Sequence, residues 1–564
     1  MTPHDLIAAF DKLAEAADGI MRVRELVLEL AVRGKLVAQH SNDEPATALL
    51  ERVEARRAAL VEAGRLRRSK KLPLITGEDI QFELPPGWRW ARLGTLFIKI
   101  SDGTHHSPPN GPVGDHLYVT AKNIKEDGVS LRDITYVSTH VHDEIFARCD
   151  PELGDVLYVK DGATTGVVTV NDLDRPFSLL SSVGLLKVGG LFDAWWACWA
   201  MRSPFFYDQV RGAMSGSAIQ RVTLTKLNRA LLPVPPLAEQ RRIVGRVDEL
   251  MGLLNRLEAA RNAREGTRAA LRDAALAALQ DADTPEEVEV AWARIASHIH
   301  ELFTDPADVE PLRQTVLQLA VRGRLVPQDP NDESAETLLG HVAKARQEAL
   351  AQKKARFARD RADFHEADEL PNGWAWAPLQ DLFRFIDYRG KTPRKTESGV
   401  LLITAKNVRD GYVKEEPREY VAPSTYDEWM TRGIPRPGDI LFTTEAPMGK
   451  AALVDIGDRF ALAQRIIDLQ PYGTIDTRYM MWVLLSPWFQ ARLAERATGM
   501  TATGIKAEKL KLIRVPVPPS AEQDRIANKV DELRALLDRL ERRLAKAKNS
   551  LEAAAAAAVH HLEF

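Results

Sequence analysis

Five histidines crowd one stretch of the chain: His105, His106, His116, His140 and His142. Imidazoles in that number could hold a metal or move protons. Their spacings match no standard ligand pattern, and nothing like them recurs in the second half of the chain. Polar loop histidines are the plainer reading, and no metal site is assigned. Gly449-Lys450 resembles the end of a phosphate-binding loop, but the upstream glycine is missing and Ala451 stands where Ser or Thr belongs. There is no Asn/Asp-Pro-Pro-aromatic tetrapeptide of an amino-methyltransferase. No G-x-G-x-x-G follows a strand, and H-E-x-x-H and G-x-S-x-G are absent. Carboxylates are plentiful, yet no pair stands out as a nuclease site. No catalytic residue is assigned in either half of the chain.

The chain that must position whatever chemistry there is has 564 residues, too many for one ordinary domain and enough for three to five. Apolar residues make up 45% and charged residues 27%, so sizeable cores can form. The 76 basic and 79 acidic side chains leave a net charge of −3, which excludes a uniformly basic nucleic-acid coat but not local basic patches. Two cysteines, Cys149 and Cys198, exclude a disulfide framework or a Cys-rich zinc site and fit a reducing cytoplasm. No apolar run reaches the roughly 18–20 residues of a membrane span, and the N-terminus does not read as a signal peptide.

The sequence is written twice. LAVRGKLV at 30–37 returns as LAVRGRLV at 319–326, and LPPGWRWARLGTLF at 84–97 as LPNGWAWAPLQDLF at 370–383. TAKNI at 120–124 returns as TAKNV at 404–408, and GDVLYV at 154–159 as GDILFT at 438–443. PVPPLAEQRRIVGRVDEL at 233–250 returns as PVPPSAEQDRIANKVDEL at 516–533. The offsets drift only from 289 to 283, so the chain is two copies of one long unit rather than a solenoid of short ones. Between the matched blocks the copies diverge: 99–116 and 384–400 share almost nothing. Matching framework with divergent loops fits two sites of one architecture that recognise different things.

The pattern predicts an α+β chain in five parts. Residues 1–75 read as helices, and 76–236 as a mixed, mainly β domain of short strands separated by Gly, Asp and Pro. Residues 237–369 read as a central helical region, whose helix over 237–280 is followed by a copy of the leading helices. Residues 370–519 repeat the β-rich domain, and 520–564 form a closing helix. Ile243, Val247, Leu250, Leu254 and Leu257 lie on one stripe of the first long helix before Arg261 and Arg264 break it. Ile526, Val530, Leu533, Leu537, Leu540, Leu544 and Leu551 continue the stripe of the second. Steps of four and three are the mark of a coiled-coil seam. Two such seams are expected to pair antiparallel as a spacer of roughly 50 Å; the alternative is two amphipathic helices, each packed on its own domain. Basic tracts at 51–71 and 344–363 are solvated helix faces or line the DNA or a partner.

L-P-x-G-W-x-W, T-A-K-N-[IV], G-D-[IV]-L and P-x-P-P-x-x-E-Q-x-R-I before V-D-E-L, each present twice, resemble the specificity subunit of Type I restriction–modification systems. The resemblance covers nearly the whole chain in the family's order, and LAVRG-[KR]-LV looks like its longer members. It implies two target recognition domains, each reading one half of a split double-stranded DNA sequence. It implies helices that fix the gap and dock two adenine-N6 methyltransferase subunits, joined by translocase–endonuclease subunits. The chain would hold no cofactor; its partners would use S-adenosylmethionine, ATP and Mg2+. The leading helical residues and their copy depart from the minimal pattern and are read as extra docking surface. The competing readings are a single-chain restriction–methylation enzyme with an unrecognised catalytic part, and a coiled-coil adaptor that never touches DNA.

Direct readout needs donors and acceptors on loops that enter the major groove, with cations nearby for phosphates. In copy one the candidates are Thr104 and His105, Lys122, Lys160, Thr164 and Thr165, and Ser215, Ser217, Gln220 and Arg221. In copy two they are Arg389, Lys391, Thr392, Arg394 and Lys395, then Lys406, Thr444, Gln464 and Arg465, and Thr501, Thr503 and Lys506. Lys122-Asn123 and Lys406-Asn407 are identical in both copies, so they point to phosphate contact or structure rather than to different sequences. Trp88, Trp90, Trp374 and Trp376 lie in matching framework and read as core. The 389–395 segment could equally be a solvated basic turn.

Overall fold

The computed structural model describes residues 16, 18–68, 71–211, 221–351, 369–388, 393–497 and 504–563. It comprises two units, one gathering 1–263 with 549–564, the other 264–548. Each is built from the same parts, as the repeat requires.

Unit one opens with helices α1 (Gly19–Val32) and α2 (Ala46–Glu62). Its β-rich domain holds β1 (Arg89–Arg92), β2 (Lys99–Asp102), β3 (His116–Val119), β4 (Thr135–Val137), α3 (Thr139–Phe146), β5 (Val156–Val159), β6 (Val168–Val170), β7 (Phe177–Leu179), β8 (Val183–Lys187), α4 (Ala194–Arg202) and β9 (Leu231–Val234). One sheet runs β2-β8-β5-β6, a second β4-β3-β7 with β3 and β7 parallel. The long helix α5 (Leu237–Gln280) leaves the domain. Unit two repeats the scheme after α6 (Pro285–Ser297), with α7 (Val309–Val321) and α8 (Ala335–Ala351) as its helix pair. Its strands are β10 (Ala375–Pro378), β11 (Phe383–Asp387), β12 (Lys395–Thr396), β13 (Val400–Ile403), β14 (Tyr420–Val421), β15 (Ile440–Thr444), β16 (Met448–Leu453), β17 (Phe460–Leu462), β18 (Ile466–Pro471) and β19 (Arg514–Val517). The helices are α9 (Pro423–Trp429), α10 (Thr477–Leu485) and the closing α11 (Ser520–Glu563). The sheets are β11-β18-β15-β16 and β12-β14-β13-β17.

The repeated motifs are the framework's fasteners. β1 pairs antiparallel with β9, Trp90 opposite Pro233, and β10 with β19, Trp376 opposite Pro516. The G-W-x-W block and the Pro-rich exit thus close each domain at its base. In the E-Q pair that follows, Glu239 accepts the indole N–H of Trp88 at 3.0 Å, and Glu522 that of Trp374 at 3.0 Å. Gln240 takes the main-chain N–H of Asp193 and donates to the carbonyl of Pro235, both at 3.0 Å. Gln523 does the same with Asp476 and Pro518, at 3.1 and 2.9 Å. Asp193 and Asp476 in turn cap α4 and α10. The arginine of the motif pairs with a loop aspartate, Arg242 with Asp43 at 2.6 Å and Arg525 with Asp332 at 2.7 Å. The glutamate, the glutamine and the arginine before the isoleucine are therefore spent on structure.

The long-helix seams are buried. Ile243, Val247, Leu250 and Leu254 share a core with Ile20, Val23 and Val27 of α1, and Arg24 reaches Asn255 and Glu258 at 2.6 and 2.7 Å. Ile526, Val530, Leu533 and Leu537 share a core with Leu312 and Val316 of α7, with Leu540 and Leu544 half-buried on it. Arg313 there reaches Asp538 and Glu541. The break at Arg261 and Arg264 coincides with the unit boundary at 263/264. Beyond it the tail of α5 buries Leu276 and Leu279 in unit two, while the tail of α11 contributes Leu551 and Ala555 to unit one. Within unit two, Arg268, Arg272 and Gln280 meet Thr304, Asp308 and Thr315 in rising order. Glu541 and Lys548 meet Arg313 and Asp305 in falling order. The two long helices therefore run antiparallel there, with the 304–315 segment as the shared rail.

The basic tracts have a double use. Arg57 donates to the carbonyl of Gly94 at 2.7 Å, and Arg346, its repeat counterpart, pairs with Asp381. One arginine from each tract thus pins helix to domain, while Arg56 and Lys344 are both exposed. No helix among the described residues is long and apolar enough to cross a membrane.

Candidate nucleic-acid interface

Of the loops nominated in copy one, the segments around 102–105 and 160–161 meet at one end of the β2-β8-β5 sheet, with Arg221 beside them. Gly103 lets β2 run onto β7: the Thr104 N–H bonds the Leu179 carbonyl at 2.9 Å, and Ser181 bonds back to Thr104 at 2.8 Å. The Lys160 N–H takes the Ser182 carbonyl at 2.9 Å, and Asp161 bridges to Arg221. The side chains form one network. The Asp102 carboxylate, 1% exposed, holds Lys160 Nζ at 3.2 Å on Oδ2 and Arg148 Nη2 at 2.6 Å on Oδ1. Nε2 of His105 lies 2.7 Å from the same Arg148 nitrogen. Asp161 lies 3.4 Å from Lys160 Nζ and holds Arg221 Nε at 3.1 Å. Three cations against two carboxylates leave the cluster positive, with His105, Arg148 and Arg221 each about half exposed.

A Cβ on Gly103 would lie 1.6 Å from the Leu179 carbonyl oxygen, an impossible contact. Gly103→Ala is expected to cost about 1–3 kcal/mol through forced separation of the strands. Faster hydrogen exchange confined to 99–104 and 177–181 would report it; unchanged exchange there would refute the account.

Copy two builds the same corner from other residues. The Thr444 N–H takes the Arg465 carbonyl at 2.9 Å, Ile505 bonds Thr444 at 3.0 Å, and Glu445 bridges to Gly504. Arg465 lies 3.6 Å from Glu445, and Lys395 pairs with Glu419 at 2.7 Å. Arg394, Arg465 and Lys506 are exposed, and Gln464 is half-buried. Ser215, Ser217, Gln220, Arg389, Lys391, Thr392, Thr501 and Thr503 lie outside the described residues.

Three expectations need correction. Lys160 is 1% exposed and held by two carboxylates, so it faces inward and positions Asp102 instead of reaching out. Thr104 is nearly buried, its hydroxyl spent on the carbonyl of His106 at 3.0 Å. Thr444 is likewise buried, its hydroxyl on the Arg465 carbonyl. Lys122, Thr164 and Lys406 are exposed, while Thr165 is half-buried and bonds the Gly162 carbonyl. Asn123 and Asn407 are fully buried; each takes the N–H three residues before it, of Thr120 at 3.1 Å and of Thr404 at 2.9 Å. The identical pair in T-A-K-N is thus a buried turn former beside an exposed lysine.

The histidines are dispersed by the fold. His116 stacks on His142 with centroids 3.8 Å apart, and His142 contacts Ser178. Burial and the neighbouring His116 hold His142 below its ordinary range. Both cysteines are buried, and burial pushes each thiol up to about 12, so neither is a ready nucleophile.

Residues 371–549 match the family model described as the Type I restriction modification DNA specificity domain. The Escherichia coli Type I restriction enzyme EcoAI specificity subunit is 31% identical over 538 residues, covering 91% of this chain and 89% of that one. This chain belongs to the Type I restriction enzyme specificity subunits. The EcoEI specificity subunit, also from Escherichia coli, is 30% identical over 94% of this chain and 92% of its own. The solved HsdS subunit from Thermoanaerobacter tengcongensis is 19% identical, with a TM-score of 0.40, over 86% of this chain and 98% of that one. A specificity subunit supplies DNA recognition and leaves the chemistry to its partners, so the motifs of this one build scaffold and surface. Arg148 and Arg432, which the structure brings to the two corners, were not singled out by sequence. Each follows a short helix, 46 and 45 residues beyond the strand end that it reaches.

Proposed function

We propose that each β-rich domain reads one half of an asymmetric, split DNA sequence in the cytoplasm. The long helices set the gap and dock two methyltransferase subunits, to which restriction subunits add. The single observation that carries this is the repeat itself: one framework, fastened by the same Trp–Glu and Gln contacts, presents two corners with different side chains. Copy one offers His105, Arg148 and Arg221; copy two offers Arg394, Arg465 and Lys506. A pure adaptor would have no reason to keep two exposed, positive and unlike corners on matched scaffolds.

The test is a methylome. The chain is co-expressed with its methyltransferase partner in a methylation-free host, and N6-methyladenine is mapped. One motif of two short halves around a fixed gap, methylated on both strands and lost without this chain, is the expected result. Methylation by the partner alone at the same sites would overturn it. In the same assay Arg394→Ala is expected to weaken or relax only one half, by about 1–3 kcal/mol per lost base contact. Equal loss at both halves would count against a reading role.

A further inference from the structure

Three segments meet at the corner of each β-rich domain by the same main-chain bonds. In copy one the Lys160 N–H takes the Ser182 carbonyl at 2.9 Å, and the Val222 N–H takes the Lys160 carbonyl at 2.8 Å. In copy two the Thr444 N–H takes the Arg465 carbonyl at 2.9 Å, and the Ile505 N–H takes the Thr444 carbonyl at 3.0 Å. The next residue on the first segment is a carboxylate in both, Asp161 and Glu445, each seven residues beyond the glycine of the repeated G-D-[IV]-L block. Each bridges antiparallel to the third segment, at Arg221 and at Gly504. On these matched backbones the side chains are exchanged. Copy one has Ser182 on the second segment and Arg221 on the third; copy two has Arg465 on the second and Gly504 on the third, each 283 residues on. Both corners thus carry one arginine and one small residue. Both arginines turn Nε toward the carboxylate, at 3.1 and 3.6 Å. No repeated block carries either arginine, so the two corners reach one arrangement from different positions.

Stability does not explain the exchange. Asp161 already receives Lys160 Nζ at 3.4 Å, and its Oδ1 accepts no hydrogen bond among the described residues even with Arg221 beside it. The two arginines are 51% and 46% exposed. Ion pairs this loose and this wet contribute little to folding. They do keep the inner side of a guanidinium against the protein, while Nη1 and Nη2 make no hydrogen bond among the described residues. That outer edge is a pair of parallel donors. In duplex DNA its match is O6 and N7 of guanine in the major groove. A phosphate also accepts such a fork. Phosphate contacts, however, need no change from one half-site to the other, and the exposed, matched Lys122 and Lys406 already suit them.

We propose that Arg221 and Arg465 are the guanine-reading residues of the two domains, with Asp161 and Glu445 as their positioning residues. This rests on the reading that each domain recognises one half-site. The test maps N6-methyladenine for the co-expressed complex carrying Arg221→Ala, Arg221→Gln, Asp161→Asn or Arg465→Ala. Arg221→Ala is expected to relax one guanine-containing position of one half by about 10- to 100-fold in preference. Arg221→Gln should relax the same position and shift it toward adenine, whose edge suits an amide. Asp161→Asn should relax that position less, and Arg465→Ala should relax a guanine of the other half only. Where a variant abolishes methylation, binding selection from DNA randomised in that half gives the same readout, with guanine lost at that position alone. Uniformly weaker methylation or binding with every base preference intact would assign the arginines to phosphate or structure and overturn the proposal. So would changes from Arg221 and Arg465 that fall in the same half, or a wild-type half-site without a G·C pair. A wild-type complex without a split motif would instead overturn the half-site reading itself.

Discussion

Truncation of Trp374 to alanine is expected to cost unit two about 3–5 kcal/mol, the range for removing a large buried aromatic. The more informative substitution is Trp374→Phe, which keeps most of the packing and removes the indole N–H. Glu522 is 1% exposed, and among the described residues its remaining side-chain donor is Gln328 at 3.5 Å. Burial already holds this carboxyl above its ordinary range, with the Trp374 bond working the other way. Losing that bond raises the folded-state value further. A carboxyl raised in the folded state loses stability as pH climbs from its unfolded value through its folded one. The penalty of Trp374→Phe should therefore be small near pH 4 and grow toward neutrality. Unit one gives the control, because Gln39 donates to Glu239 at 2.7 Å and partly covers for the indole. Trp88→Phe should cost less than Trp374→Phe at pH 7. Hydrogen exchange of α4 and α10 peptides in the full chain reads the two units separately. Equal losses, or a Trp374→Phe penalty independent of pH, would refute this account of the E-Q motif.

The division between what could and could not be read in advance follows the range of the interactions. The repeat, the β-rich domains, the helix pairs and the core role of Trp88 and Trp374 were legible, because matched blocks and apolar spacing are local signals. The stripe of α5 was legible together with its break, but not the fact that its tail belongs to the other unit's core; periodicity gives a face, not a partner. The choice of candidate loops followed from equivalent positions in the repeat. The direction of individual side chains did not: Lys160 sits in a loop-like setting yet turns inward, because Asp102 arrives beneath it from a strand 58 residues earlier. Arg148 and Arg432 escaped notice although a local signal marks them: each stands six residues before the matched Gly-Asp pair, in an R-x-x-P-x-x-G-D block present in both copies.

Asp468 lay furthest from view, and replacing it with asparagine is expected to stabilise unit two at neutral pH. In Ile-Ile-Asp-Leu-Gln an aspartate between apolar residues reads as the solvated side of an alternating strand. The structure places it at 0% exposure, opposite Ile386 on β11 and Leu441 on β15, with neither carboxyl oxygen hydrogen-bonded among the described residues. Burial drives its carboxyl far above the ordinary range, Asp439 adds to the rise, and Arg384 and Arg436 only partly offset it. The unfolded chain titrates near 3.9. Between that value and the raised folded one, the folded state holds a proton that the unfolded state has released. Wild-type stability must then fall by about 1.4 kcal/mol per pH unit over this window. Asparagine keeps the volume and has no proton to lose, so the variant should gain on the wild type steadily above about pH 4. Asp468 lies one residue along β18 from Ile467, which faces Asp387, so the gain should appear in the sheet that carries Arg432. Exchange protection of β15 and β18 amides, followed from pH 5 to 8 in both proteins, measures it. Parallel pH profiles would mean that the carboxyl is ionised in the folded chain and that its charge is met by the two arginines.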